Sequence, residues 1–283
     1  MYKTIIVHID GSPRQASRVA AAARLALEHD AHLVGCAATG ISWLDYALLT
    51  GATGAPRPQA DFDDLRQAAA RRLDDFAQQA SSLGVASVEA RLADDAADCA
   101  LLLQSRYADL VVLSRDADAA PGTPEPPPRM RRLPEYIALG GVRPVLIVPP
   151  DCTGEPPVAK TVVAGWDGSM QALHALVAAL PLLRRADSVR LALINPDQMS
   201  ERHGEQPGAD MALYLARQSV KVDVVLERTH ATAGAALMAL ARDASAGLLV
   251  TGAYGHSRYR EWMLGGVTRE LLEHAAVPLL MAH

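Results

Sequence analysis

Lysine is almost missing from most of this chain: before residue 200 only Lys3 and Lys160 occur, and the formal net charge is −5. Neutralising a polyanion needs clustered Lys and Arg, so a nucleic acid is excluded as the main partner. Cysteine is scarce as well. Cys36, Cys99 and Cys152 are scattered and never stand in CxxC spacing, which excludes a disulfide framework and fits a reducing compartment. The nine histidines are spread singly without an HExxH pair, so no metal-ligand pattern is present and His8 and His174 read as buried or capping residues. No apolar run approaches the roughly 20 residues that span a bilayer. Met1 leads straight into a strand without a signal-peptide pattern. The expectation is a soluble, cytoplasmic protein with no membrane association.

What is present is a repetition. Lys3-Thr4-Ile5-Ile6-Val7-His8-Ile9-Asp10-Gly11-Ser12 returns as Lys160-Thr161-Val162-Val163-Ala164-Gly165-Trp166-Asp167-Gly168-Ser169, at a constant offset of 157 residues. The chain thus reads as two copies of one domain, and each copy is a control for the other. At 283 residues and 50% apolar content there is material for two ordinary cores.

Within the first copy, β-branched runs at Ile5–Ile9, His32–Ala38, Val85–Leu92, Asp109–Leu113 and Pro144–Val148 read as strands. Ser12–Glu28, 95–105 and 134–139 read as helices. Residues 39–60, with several Gly and Pro, read as a loop. Phe62, Leu65, Ala69, Leu73, Phe76, Ala80 and Leu83 then line one face of a long helix that Asp61 is expected to cap. The second copy repeats the order, with strands at Thr161–Gly165, Val189–Ile194, Val220–Leu226, Leu248–Val250 and Leu279–Met281. Its helices fall at 173–183, where Pro181 predicts a kink, and at 210–218, 234–245 and 267–275. Alternating strands and helices predict parallel sheets covered on both faces, with any ligand beyond the carboxyl ends of the strands. Residues 1–149 and 158–283 form the expected domains, joined by a stiff, Pro-rich linker at 150–157.

The chemistry-bearing pattern lies in the second copy. Gly252, Gly255, Gly265 and Gly266 form Gly-x2-Gly-x9-Gly-Gly between a strand and a helix. Such glycines let the backbone approach an anion, and the amides that open the following helix carry a partial positive charge. There is no Gly-Lys-Ser/Thr, so the lysine of phosphoryl-transfer loops is absent. In the first copy the fourth strand is followed by Ser114-Arg115-Asp116-Ala117, without either glycine. A Pro-rich insert at 119–128 comes next and reads as an extended loop. Asp10 persists there as a turn and cap residue, so this copy is expected to be degenerate.

Together, the Asp-Gly-Ser after the first strand and the glycine pattern after the fourth resemble the universal stress protein family over the whole chain. The resemblance implies two tandem doubly wound α/β domains of the adenine-nucleotide alpha-hydrolase-like type, each a five-stranded parallel sheet in the order 3-2-1-4-5. It implies ATP or another adenine nucleotide, with or without Mg2+, in the second domain. Asp167 would hold the ribose hydroxyls and Ile194 would face adenine. Gly252, Gly255, Gly265 and the amides of Gly266, Val267 and Thr268 would cradle the phosphates. One position departs: Gly266 stands where the family carries Ser or Thr, a loss worth about 1 kcal/mol. The resemblance further implies pairing of the two fifth strands into an intrachain pseudo-dimer, and leaves open a homodimer of chains. Binding in a stress-response role is expected rather than catalysis, with at most slow ATP hydrolysis. The alternative is an interaction or scaffold protein that binds no nucleotide.

Overall fold

In the computed structural model, the residues described are 1–53, 58–115, 132–149, 160–197, 206–253 and 266–283. They divide into two compact units, Met1–Ile137 and Ala138–His283.

The first unit carries β1 (Thr4–Ile9), α1 (Gln15–His29), β2 (His32–Ala38), α2 (Trp43–Thr53), α3 (Pro58–Ser82), β3 (Val88–Ala93), α4 (Ala97–Ser105) and β4 (Leu110–Ser114). Its strands are parallel in the order β3-β2-β1-β4. Helix α5 (Leu133–Gly140) crosses the division of the chain. The second unit holds β5 (Val145–Val148), β6 (Thr161–Gly165), α6 (Met170–Leu183), β7 (Ser188–Ile194), α7 (Ala209–Arg217), β8 (Val222–Glu227), α8 (Ala233–Asp243), β9 (Leu248–Gly252), α9 (Gly266–His274) and β10 (Leu279–Ala282). Its parallel strands run β8-β7-β6-β9-β10, which is the 3-2-1-4-5 order.

Central strands are apolar along their length because helices cover both faces. Ile5, Ile6, Val7 and Ile9 of β1 are buried, as are Val162, Val163 and Ala164 of β6. Ile5 stands opposite Leu33 and Leu110, and Val162 opposite Val189 and Leu248, so the repeated phrase occupies the same register in both units. Strand β5 runs antiparallel to β10, with Leu146 opposite Leu280. The two fifth strands therefore pair, inside the second unit, and this pairing covers an edge that would otherwise offer unmet backbone groups.

Several elements differ from expectation. Residues 39–60 are not all loop. Ser42 Oγ accepts from the Asp45 amide at 3.1 Å and donates to the Asp45 carboxylate at 2.7 Å, a reciprocal cap that starts α2. Trp43 and Tyr46 then pack on Phe62 at ring separations of 5.2 and 5.6 Å. Helix α3 begins at Pro58, a favoured first helical residue, so Asp61 lies in its first turn and is not its cap. Pro181 does not break α6, which continues to Leu183. At that point only one carbonyl, that of the exposed Val177, loses its donor. The insert at 119–128 falls outside the described residues. Among the described residues, no helix is long and apolar enough to cross a membrane.

Phe76 anchors the first unit: it is fully buried, and its ring lies directly on the backbone of Gly35 in β2. Phe76→Ala is expected to lower unfolding free energy by about 3–5 kcal/mol. Urea titration checks this, and a loss under 1 kcal/mol would mean that the site collapses around the gap.

Candidate functional site

The site is built where β6 hands the chain to α6. After Gly165 the chain turns through Asp167-Gly168-Ser169. The Asp167 Oδ1 accepts from the Ser169 amide at 3.0 Å, and Gly168 sits at φ +73°, a left-handed conformation that suits glycine. Ser169 caps α6 by accepting from the Ala172 amide at 3.1 Å. The first unit repeats this turn: Asp10 Oδ1 accepts from the Ser12 amide at 2.9 Å, and Gly11 has φ +75°.

Neighbouring strands bring the other expected residues to the same edge. The Trp166 amide donates to the Ala192 carbonyl at 2.9 Å, which sets Asp167 level with Ile194 at the end of β7. Asn195 follows, and its amide side chain donates to the Thr229 carbonyl and accepts from the Thr229 amide, both at 2.9 Å. That pair ties together the chain ends of β7 and β8. Gly252 closes β9, and a Cβ there would come within 2.5 Å of the Ala172 nitrogen. The first turn of α6 is therefore seated on the end of β9, and no larger residue fits between them. Asp167, Ile194 and Gly252 thus share the carboxyl edge of the sheet where strand order reverses between β6 and β9, the place where doubly wound folds bind ligands.

Helix α9 opens at Gly266, so the amides of Gly266, Val267 and Thr268 belong to its first turn, at the end where the helix dipole is positive. A Cβ on Gly266 would meet open space within 4 Å, whereas Thr268 is buried. Further along α9, Glu270 accepts from Thr232 Oγ1 at 2.7 Å, beside the start of α8. Thr251 Oγ1, at the end of β9, is buried with no hydrogen-bond partner among the described residues. Gly255 and Gly265 lie outside the described residues, as do His256, Arg258 and Arg260.

The first unit holds a different edge. Arg18, on the inner face of α1, is buried with its side chain 1% exposed. Its Nε donates to the His8 carbonyl at 2.8 Å, its Nη1 to Ser114 Oγ, and its Nη2 to Asp10 Oδ1 at 2.6 Å. Arg72 of α3 donates to the Asp10 carbonyl at 3.0 Å. Asp10 is therefore a turn residue and the partner of a buried cation, and it does not cap α1, whose N-cap is Arg14. Sequence reasoning missed Arg18, Ser114 and His8 as a group. The signal was there: at the offset of 157 residues Arg18 meets Ala175 and His8 meets Gly165.

Charges in this cluster are interdependent. Burial alone would raise the Asp10 carboxyl, but Arg18, His8 and the Ser12 amide outweigh it and hold the group at about 2. Burial, followed by the adjacent Arg18 charge, pushes His8 down to about 4. At neutral pH the His8 imidazole is thus uncharged, and its 3.8 Å approach to Asp10 is not an ion pair.

These features define the class: doubly wound α/β units. Residues 159–283 match the model of the Universal stress protein family. A universal stress protein from Archaeoglobus fulgidus DSM 4304 aligns over 99% of this chain and 95% of its own, with TM-score 0.70 and 15% identity. A functionally unknown protein from Pseudomonas aeruginosa PAO1 aligns over 99% and 92%, with TM-score 0.62 and 15% identity. At such identities the likeness concerns the fold alone. A universal stress protein in complex with cAMP covers 52% of this chain and 97% of its own, at TM-score 0.39 and 21% identity; that ligand is a property of that protein. No curated protein matches the chain.

The buried cluster predicts an acid-sensitive first unit. Both groups have lower pKa values folded than unfolded, so the unfolded chain binds more protons and stability falls as pH falls. The His8 part is complete above its ordinary value of 6.5 and is lost on the way down to about 4. The Asp10 part is lost between 3.8 and about 2. In urea titrations from pH 7 to 4, His8→Gln is expected to show a flatter decline than wild type, by on the order of 2–3 kcal/mol. Equal slopes would mean that His8 does not stay neutral in the folded state.

Proposed function

We propose that the second domain, residues 158–283, binds an adenine nucleotide such as ATP, and that the protein acts by binding in a stress response rather than by turnover. One observation carries this reading. At the switch point between β6 and β9 a carboxylate, Asp167, is held in a tight turn, level with Ile194 and Gly252 on the same sheet edge. A carboxylate accepts two hydroxyl donors at once, which suits a vicinal diol such as ribose. The opening amides of α9 supply the complementary positive end for phosphate oxygens. Gly255 and Gly265, which precede α9 in the sequence, would add backbone amides to that role, and Ile194 offers an apolar neighbour to a base. Mg2+ would enter with the phosphates as their counterion. Three scattered cysteines fit a reducing interior, and we place the protein in the cytoplasm.

A second reading, an interaction module without nucleotide, is favoured by α2. Leu44, Leu48 and Leu49 of that helix are 67%, 64% and 61% exposed, and large apolar side chains grouped on one helix are a common mark of a partner surface.

The two readings separate in one experiment. Freshly purified protein, denatured and chromatographed, is expected to release adenine nucleotide at close to one per chain. In thermal-shift titrations with ATP and Mg2+, Asp167→Ala is expected to weaken binding about 10- to 100-fold, the worth of charge-assisted hydrogen bonds. Absence of bound nucleotide together with no thermal shift in wild type would sink the nucleotide reading and leave the interaction module.

A further inference from the structure

Doubly wound sheets take ligands beyond the strand ends where the order reverses. In the first unit that point lies between β1 and β4, and a side chain of the protein already stands there. Arg18 reaches up from α1, and three of its guanidinium nitrogens each find an acceptor at this edge. These are the His8 carbonyl of β1, the Ser114 hydroxyl that ends β4, and the Asp10 carboxylate just past β1. The acceptors come from two separate stretches of chain, residues 8–10 and residue 114, so the guanidinium sits between the two strand ends rather than along one of them.

The second unit shows the same place without the arginine. β1 and β4 pair with Ile5 opposite Leu110, and β6 and β9 with Val162 opposite Leu248, so Ser114 corresponds to Gly252. At the offset that carries Lys3 to Lys160, Asp10 becomes Asp167, His8 becomes Gly165 and Arg18 becomes Ala175. The carboxylate and its turn are kept in both units. The arginine and the hydroxyl that receives it are both absent from the second. Packing volume does not account for this difference, since fully buried alanine fills the same helical position in the second unit. Burying a guanidinium is costly unless its donors are met, and here each contact is to a group of the strand-end edge.

We propose that Arg18 is a resident ligand of the first unit: a tethered cation that occupies the β1–β4 crevice and closes it to outside molecules. The carboxylate, carbonyl and hydroxyl around it are a set of acceptors, and they recognise a planar, donor-rich cation. This concerns the first unit, and its test uses no nucleotide, so it stands or falls separately from the reading of the second domain.

The test uses the full chain with Arg18→Ala, the residue the second unit carries, and ethylguanidinium as the probe. Tetramethylammonium at equal ionic strength is the control. Arg18→Ala is expected to melt on the order of 10 °C below wild type, because Asp10 loses its buried partner. Millimolar ethylguanidinium is expected to raise that midpoint saturably, as a ligand bound by the folded state alone must. It should give no such rise in wild type, whose crevice is filled, or in Arg18→Ala/Asp10→Asn, which lacks the carboxylate. If Arg18→Ala does not fold unaided, the readout is the cooperative melting transition recovered by refolding with the probe. No saturable rise and no recovery in Arg18→Ala overturns the proposal. An equal effect in the double variant, or in wild type, overturns it too.

Discussion

Parallel strands all end at the same edge, and the polar groups that converge there must be met. Backbone carbonyls, turn amides and the carboxylate after the first strand cannot stay buried without partners, since each unmet group costs free energy comparable to a lost hydrogen bond. Everything distinctive about this protein follows from how its two units meet that demand. The first does it with an arginine from its own helix. The second keeps the carboxylate in the same turn and carries alanine where the first has that arginine.

The contrast is informative because so much else is unchanged. Strand order, register and the left-handed glycine of the Asp-Gly-Ser turn are shared by both units. A duplicated scaffold can keep the same turn in both copies and fill the edge of one with a buried charge. That charge also ties Asp10, His8 and Arg72 into one electrostatic group, in which the guanidinium keeps the carboxyl ionised, and burial, reinforced by the guanidinium, keeps the imidazole neutral.

Much of the fold was legible in advance because it rests on short-range pattern. Ile5–Ile9 and Thr161–Gly165 read as buried strands from β-branched runs, and the structure places them at the centre of their sheets. The loop expected at 39–60 was misjudged since Gly51 and Pro56 drew the eye from the Ser42–Asp45 cap, and the packing of Trp43 and Tyr46 on Phe62 is invisible to local pattern. Asp167, Ile194 and Gly252 were picked from the sequence, and they do share one edge. Arg18 was not picked, because in sequence it is one cation in an alanine-rich helix.

The amino-acid sequence by itself determined the duplication, the alternation of strand and helix, and the turn that carries a carboxylate at the end of each first strand. These are matters of hydrophobic period and of backbone conformations open to few residues, and both are local. Only the tertiary structure decided how the carboxylate of the first unit is engaged. That outcome depends on Arg18 and Ser114, 96 residues apart, meeting at two neighbouring strand ends. Strand pairing creates that proximity, and no pattern within a few residues records it.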